Sequence, residues 1–155
     1  MDLLSGTNTS SLFVSSAQQQ QQLEYIASNT LKNGIDLYQK KDYEGAARAF
    51  KGALSMAPSS SFSKDAAKYL AMAQLNLGET DKAIDAYKTS IKLHPDLAEP
   101  HVDLAKLYFS ESRYKEAEIE YAAAVRIDPS SANHCSLGQA YLVQDRYAEA
   151  EAEFQ

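Results

Sequence analysis

Three histidines and one cysteine are the residues of this sequence best suited to bind a metal. Imidazole and thiolate groups are ligands that zinc prefers, and they are offered by His94, His101, His134 and Cys135. No two of them stand in a CxxC or HExxH arrangement. We therefore predict no metal and no other cofactor, and we expect His101 and His134 to be packed core residues.

Motifs for catalysis are also missing from the sequence. It has neither a Gly-rich phosphate loop nor a nucleophile elbow. The glutamates of 116–120 and 149–153 lie in segments with helical periodicity, where a solvated helix face explains them. The sequence therefore predicts a protein that is not an enzyme.

The overall composition narrows the class of protein further. With 155 residues and 45% apolar residues, the chain is sufficient for one domain with a core. A net charge of −6 argues against a nucleic-acid partner, because phosphate contacts need clustered Lys and Arg. Cys135 is the only cysteine, so no disulfide can form within the chain. No apolar run approaches the roughly 20 residues of a membrane span. Residues 1–16 lack the basic residues of a secretory signal. These features predict a cytoplasmic protein.

All ordered segments have helical periodicity. Residues 1–15 are predicted to be a flexible leader; the alternative is that one of its apolar clusters docks on the first helix pair or in the protein's own groove. The first helix is predicted over 17–40, with Ser16 and Gln19 as a capping box and 16–26 as an extension. Ser63 is a predicted N-cap, and Gly78 a predicted left-handed C-cap. Further helices are predicted at 44–56, 65–77, 80–93, 98–110, 114–127, from about 131, and from 147.

These helices form a repeat with a period near 34 residues. In the second helix of each pair, a small residue recurs at intervals of 37, 34 and 33, namely Ala46, Ala83, Ala117 and Ala150. An aromatic residue follows each one four positions later: Phe50, Tyr87, Tyr121 and Phe154. The first helices carry their own small residue, at Gly34, Ala71, Ala105 and Gly138. Small residues on facing sides allow two helices to pack closely, with aromatic rings filling the space towards the next pair.

This pattern, closed by Pro58, Pro95 and Pro129, resembles the tetratricopeptide repeat (TPR). The resemblance implies an all-α fold, an α-α superhelix (TPR solenoid) of about seven to eight helices in antiparallel pairs. The TPR domain would span 16–155, with repeats at about 27–60, 64–97, 98–130 and 131–155, the last one truncated. The sequence departs from the family pattern at Thr30 and Asn33, at Gln74 where later repeats have Tyr, and in three extra loop residues at 61–63.

The resemblance also implies a function, because the first helices of such pairs line a concave groove that binds peptides or helices. Leu31, Ile35, Tyr69, Glu99 and Asp103 occupy the positions that hold a chaperone's C-terminal carboxylate in some family members. None of them is basic, so we do not expect that mode of binding. We expect a protein or peptide partner with apolar anchors. The residues expected to bind it are Ile35, Tyr38, Lys68, Met72, Leu75, Val102, Lys106, Phe109, Gln139 and Leu142.

The sequence leaves several alternatives open. The groove residues could instead contact the protein's own leader or another copy of the chain. They could also be ordinary residues of the core and its rim that bind no ligand. The predicted function is that of a non-catalytic interaction module, a scaffold or adaptor. The alternative is the recognition or oligomerisation arm of a larger enzyme, such as a glycosyltransferase, with its catalytic part beyond residue 155. Self-association through the C-terminal end of the solenoid, near Ala150 and Phe154, is a further expectation.

Overall fold

A computed structural model describes residues 15–155, which fold into eight α-helices and, within that range, no strands. The helices are α1 (Ser16–Gln39), α2 (Tyr43–Met56), α3 (Ser63–Asn76), α4 (Thr80–Leu93), α5 (Ala98–Ser110), α6 (Tyr114–Ile127), α7 (Ser131–Leu142) and α8 (Tyr147–Phe154). Consecutive helices form four antiparallel pairs, and each pair packs on the next along the chain. The predicted all-α solenoid is confirmed. The predicted leader lies outside the described residues except for Ser15.

The turn within each pair has the same backbone geometry. A residue with positive φ stands at the equivalent place in all four turns, namely Lys41, Gly78, Ser112 and Asp145. The next residue donates its N–H to a carbonyl near the end of the preceding helix, as Arg113 does to Tyr108 at 2.8 Å. This is the Schellman arrangement, which satisfies carbonyls left free at a helix end. The left-handed conformation predicted for Gly78 is confirmed.

Two predicted N-caps are each wrong by one position. The capping box of α1 uses Ser15 and Gln18 rather than Ser16 and Gln19, since Ser15 accepts from the Gln18 N–H at 3.2 Å. Ser63 is the first residue of α3 and does not cap it. It is fully buried instead, where its hydroxyl lies 2.8 Å from the Ser60 carbonyl and 2.7 Å from His94 Nε2. A distant partner thus overrides the local capping preference of this serine.

The small residues of the repeat allow the close helix packing that their spacing predicts. Ala46, Ala83, Ala117 and Ala150 are all at most 1% exposed. A methyl group placed on Gly34 would lie 2.6 Å from Phe50, and one on Gly138 would lie 2.5 Å from Phe154. In the first and fourth pairs, the aromatic ring therefore packs against the glycine of its own pair. Phe50 also stacks on Tyr69 of the next pair, with ring centroids 5.5 Å apart.

No helix within residues 15–155 is long and apolar enough to cross a bilayer.

Candidate functional site

The predicted groove residues lie on the first helices of the four pairs, α1, α3, α5 and α7. Most of them are partly buried, and their apolar members pack against the core while keeping some surface exposed: Ile35, Tyr38, Leu75, Val102 and Phe109. Lys68 and Met72 are also partly buried. Lys106, Gln139 and Leu142 are exposed, and Leu142 exposes 42% of its surface. The surface therefore combines apolar side chains with charged ones.

Tyr38 connects the first pair to the second. Its hydroxyl accepts a hydrogen bond from Asn76 Nδ2 at 2.9 Å, and Asn76 also donates to the Met72 carbonyl at 2.8 Å. The Tyr38 ring lies edge-on to Tyr43 and Tyr69, with centroid distances of 5.3 and 6.4 Å. These contacts orient Tyr38 between α1 and α3, so that this part of the surface is preorganised.

Lys68 connects the second pair to the third. Its Nζ lies 2.8 Å from Glu99 Oε1 and 3.5 Å from Asp103 Oδ2, while Lys64 lies 3.6 Å from Glu99. The hydrogen bond between Lys68 and Glu99 raises the pKa of Lys68 and lowers the pKa of Glu99. Burial raises the pKa of Asp103 and outweighs the opposing charges of Lys68 and Lys106. Glu99 is thus stabilised as a charged group by its lysine neighbours, whereas the charge of Asp103 is disfavoured by burial despite them.

The resemblance placed Tyr69 and Asp103 at groove positions, but they were not among the residues expected to bind the partner. The structure brings both into contact with that set, since Tyr69 contacts Tyr38 and Asp103 contacts Lys68. Their groove positions were the signal that could have included them. Leu31 is buried, and Glu99 and Asp103 are acidic. The positions considered for a carboxylate ligand therefore present no cation here.

A polar bridge links Glu118 of α6 in the third pair to the turn between α7 and α8 in the fourth. Glu118 Oε2 lies 2.6 Å from Arg146 Nη1 and accepts from Gln144 at 3.0 Å. Arg146 also lies over the Tyr141 ring, 4.5 Å from its centroid, and Arg113 lies 4.4 Å from the centroid of Tyr108 in the third pair. Gln139 lies 3.9 Å from Cys135 Sγ within α7.

The histidines make hydrogen bonds inside the repeats. His101 Nδ1 lies 2.6 Å from Glu120, and His134 Nδ1 lies 2.7 Å from Glu153 at the equivalent position of the next pair. Both are partly buried and hydrogen-bonded to a glutamate of the facing helix, so they lie at the edge of the core and are not the packed core histidines that the sequence predicted. Residues 15–155 contain no group of three or more His, Cys, Asp or Glu side chains arranged to hold a metal ion.

Curated proteins similar to this chain carry the same repeat. One is the small glutamine-rich tetratricopeptide repeat-containing protein 2 of Mycosarcoma maydis, 34% identical over 93 residues, which are 59% of this chain and 25% of that protein. Another is the tetratricopeptide repeat and J domain-containing co-chaperone DNJ1 of Cryptococcus neoformans var. grubii, 27% identical over 107 residues, 68% and 20% of the two chains. The chain thus spans about a quarter or less of these relatives.

Solved structures share the fold. MamA superposes with a TM-score of 0.69 at 24% identity, over 83% of this chain and 74% of its own. YrrB, described as a TPR protein with an unusual peptide-binding site, superposes with a TM-score of 0.62 at 19% identity, over 82% and 64% of the two chains. The family model for the tetratricopeptide repeat matches residues 31–98 and 70–132. The chain belongs to the tetratricopeptide repeat family.

Proposed function

We propose that this chain is a non-catalytic interaction module, a scaffold or adaptor that binds a peptide or helix of a partner protein along α1, α3 and α5. One observation carries the proposal. Partly exposed apolar side chains, Tyr38, Met72, Leu75 and Phe109, stand on successive first helices beside the network of Lys68, Glu99 and Asp103. Such a surface offers apolar anchor sites next to charges that fix register, as in other helical grooves that bind peptides.

The charges of the surface favour a particular partner. Glu99 and Asp103 are both held by Lys68, but burial raises the pKa of Asp103 and disfavours its charge. A Lys or Arg of the partner near Asp103 would stabilise that buried carboxylate. A terminal carboxylate at the same place would be repelled. We therefore propose a partner segment with apolar anchors and at least one basic residue between them.

The proposal is tested by selecting, from a random phage-displayed library, peptides that bind the full chain. We expect the selected peptides to combine apolar residues with Lys or Arg. The double variant Met72→Ala with Phe109→Ala should weaken their binding at least tenfold, since buried anchors commonly contribute more than about 1 kcal/mol each.

The matched control is Ile119→Ala, on the second helix of the third pair, where Ile119 is 63% exposed. It should leave the affinity unchanged, and helicity should be the same in all variants. Equal affinity of the double variant and the native chain would refute the groove. Selected peptides rich in Asp and Glu would refute the proposed charge preference.

A further inference from the structure

A second cleft lies away from the groove, between the outer helices α2 and α4. Its volume is about 440 Å³, and its apolar lining is Leu54 and Pro58 on one side, Ala86 and Leu93 on the other, and Leu70 beside Gln74 of α3. Polar and charged residues also line it: Lys51, Ser55, Lys82, Asp85 and Thr89. On α3, these two residues alternate with the groove residues Lys68 and Met72, which places them on a different face of the helix. The cleft and the groove are therefore separate surfaces.

The repeat explains why this cleft is open. Gln74 occupies the position that Tyr108 and Tyr141 occupy in the next two pairs, and Ala86 corresponds to Glu120. In the third pair, Tyr108 is only 4% exposed, so its ring fills the corresponding space from inside. Gln has no ring to do so. The connection between α2 and α3 is also longer than those between the later pairs.

Gln74 has hydrogen-bonding capacity that the described residues do not use. Its side-chain Oε1 is buried, and it has no hydrogen-bond partner within residues 15–155. A buried amide oxygen without a partner is uncommon, and it favours any ligand that supplies one. Among the polar residues that line the cleft, Gln74 is thus the one with a buried, unpaired acceptor in the part of the chain that the structure describes.

We propose that this cleft binds a tyrosine side chain of a partner protein, which takes the place of the ring that the second repeat lacks. The apolar side chains of the lining, Leu54, Leu70 and Leu93, suit an aromatic ring, and a phenolic hydroxyl both donates and accepts. It can therefore pair with the Gln74 amide in either of its two orientations. The site is independent of the groove and of the function proposed for it.

The chain's own first 14 residues fit the cleft less well. They contain Phe13 but no Tyr or Trp, so they could fill the space without pairing with Gln74. A partner tyrosine is thus favoured over the leader by the chemistry of Gln74.

Titration of the isotope-labelled full chain with N-acetyl-tyrosinamide, followed by NMR, tests the proposal. We expect saturable shifts of the Gln74 side-chain amide and of the Leu54 and Ala86 backbone amides. N-acetyl-phenylalaninamide should bind about fivefold more weakly, since it cannot make the hydrogen bond. Absence of saturable shifts, or equal affinity for the two probes, would overturn the proposal.

Two variants at Gln74 separate the ring from the hydrogen bond. Gln74→Tyr should fill the cleft from inside and abolish binding, and it should fold because Tyr is accepted at the equivalent positions. Gln74→Leu should bind both probes with equal affinity. The groove variant Met72→Ala with Phe109→Ala should bind N-acetyl-tyrosinamide as the native chain does.

Two results would assign the cleft to another occupant and overturn the proposal. One is binding of the tyrosine probe only after removal of residues 1–14, which would indicate the chain's own leader. The other is dimerisation of the native chain that Gln74→Tyr abolishes. That would indicate a second copy, whose Tyr25 and Tyr147 are 69% and 64% exposed.

Discussion

Replacing Gly34 by alanine tests the close packing on which the repeat depends. The added methyl group would lie 2.6 and 2.8 Å from Phe50 Cε1 and Cδ1, and 3.1 Å from Ala49 Cβ. Carbon atoms pack best at about 3.5–4.0 Å, so the ring of Phe50 must move by roughly an ångström. Phe50 is fully buried and stacked on Tyr69, so its displacement disturbs two pairs. We expect overpacking to cost about 1–3 kcal/mol.

The opposing effect is the helix propensity of alanine, which exceeds that of glycine by about 1 kcal/mol. Gly52→Ala in α2 measures this effect alone, because the nearest atom to its added methyl group is Thr30 Cγ2 at 3.8 Å. Urea unfolding followed by circular dichroism should show Gly52→Ala to be stabilising. Gly34→Ala should be less stable than Gly52→Ala by about 1–3 kcal/mol. Equal stabilisation by both substitutions would refute the packing argument.

Two further predictions concern buried side chains. Ala117→Leu should overpack α6 against α5 and lower the free energy of unfolding by about 1–3 kcal/mol, because Ala117 is 0% exposed; an unchanged melting temperature would contradict this. Burial, assisted by the charge of Asp103, raises the pKa of Tyr87 to about 12, against 10.0 for an unperturbed tyrosine. The folded chain therefore retains a proton that the unfolded chain releases between these values, and stability falls as the pH rises through that window. Tyr87→Phe should reduce this loss of unfolding free energy by about 1–3 kcal/mol. Urea unfolding of both proteins at pH 9 and about pH 12 measures the difference. If both proteins lose the same stability, Tyr87 is not the group responsible.

Local patterns in the sequence were sufficient for the helices. Helical periodicity and proline stops placed α4, α5 and α6 correctly, and the start of α3 was predicted two residues late. The close approach of the helices at Gly34 also followed from residue size and spacing, although the sequence placed the Phe50 ring towards the next pair and not against Gly34. These features depend on residues near one another in the chain, and the repeat supplies four copies of each signal.

Contacts between pairs could not be predicted in the same way. The bridges from Lys68 to Glu99 and from Arg146 to Glu118 depend on how far each pair is rotated against its neighbour. That rotation results from the summed packing of many side chains, so no single residue indicates it. The sequence did show Gln74 as an exception among the tyrosines. It did not show that the missing ring leaves an open cleft.

The central claim is that a partner segment binds along the first helices. Photo-crosslinking tests it most directly, with benzoylphenylalanine placed at Met72 in one version of the chain and at Ile119 in another. A selected peptide should crosslink at position 72, and excess unlabelled peptide should compete for this site. Crosslinking at 119 but not at 72 would contradict the account.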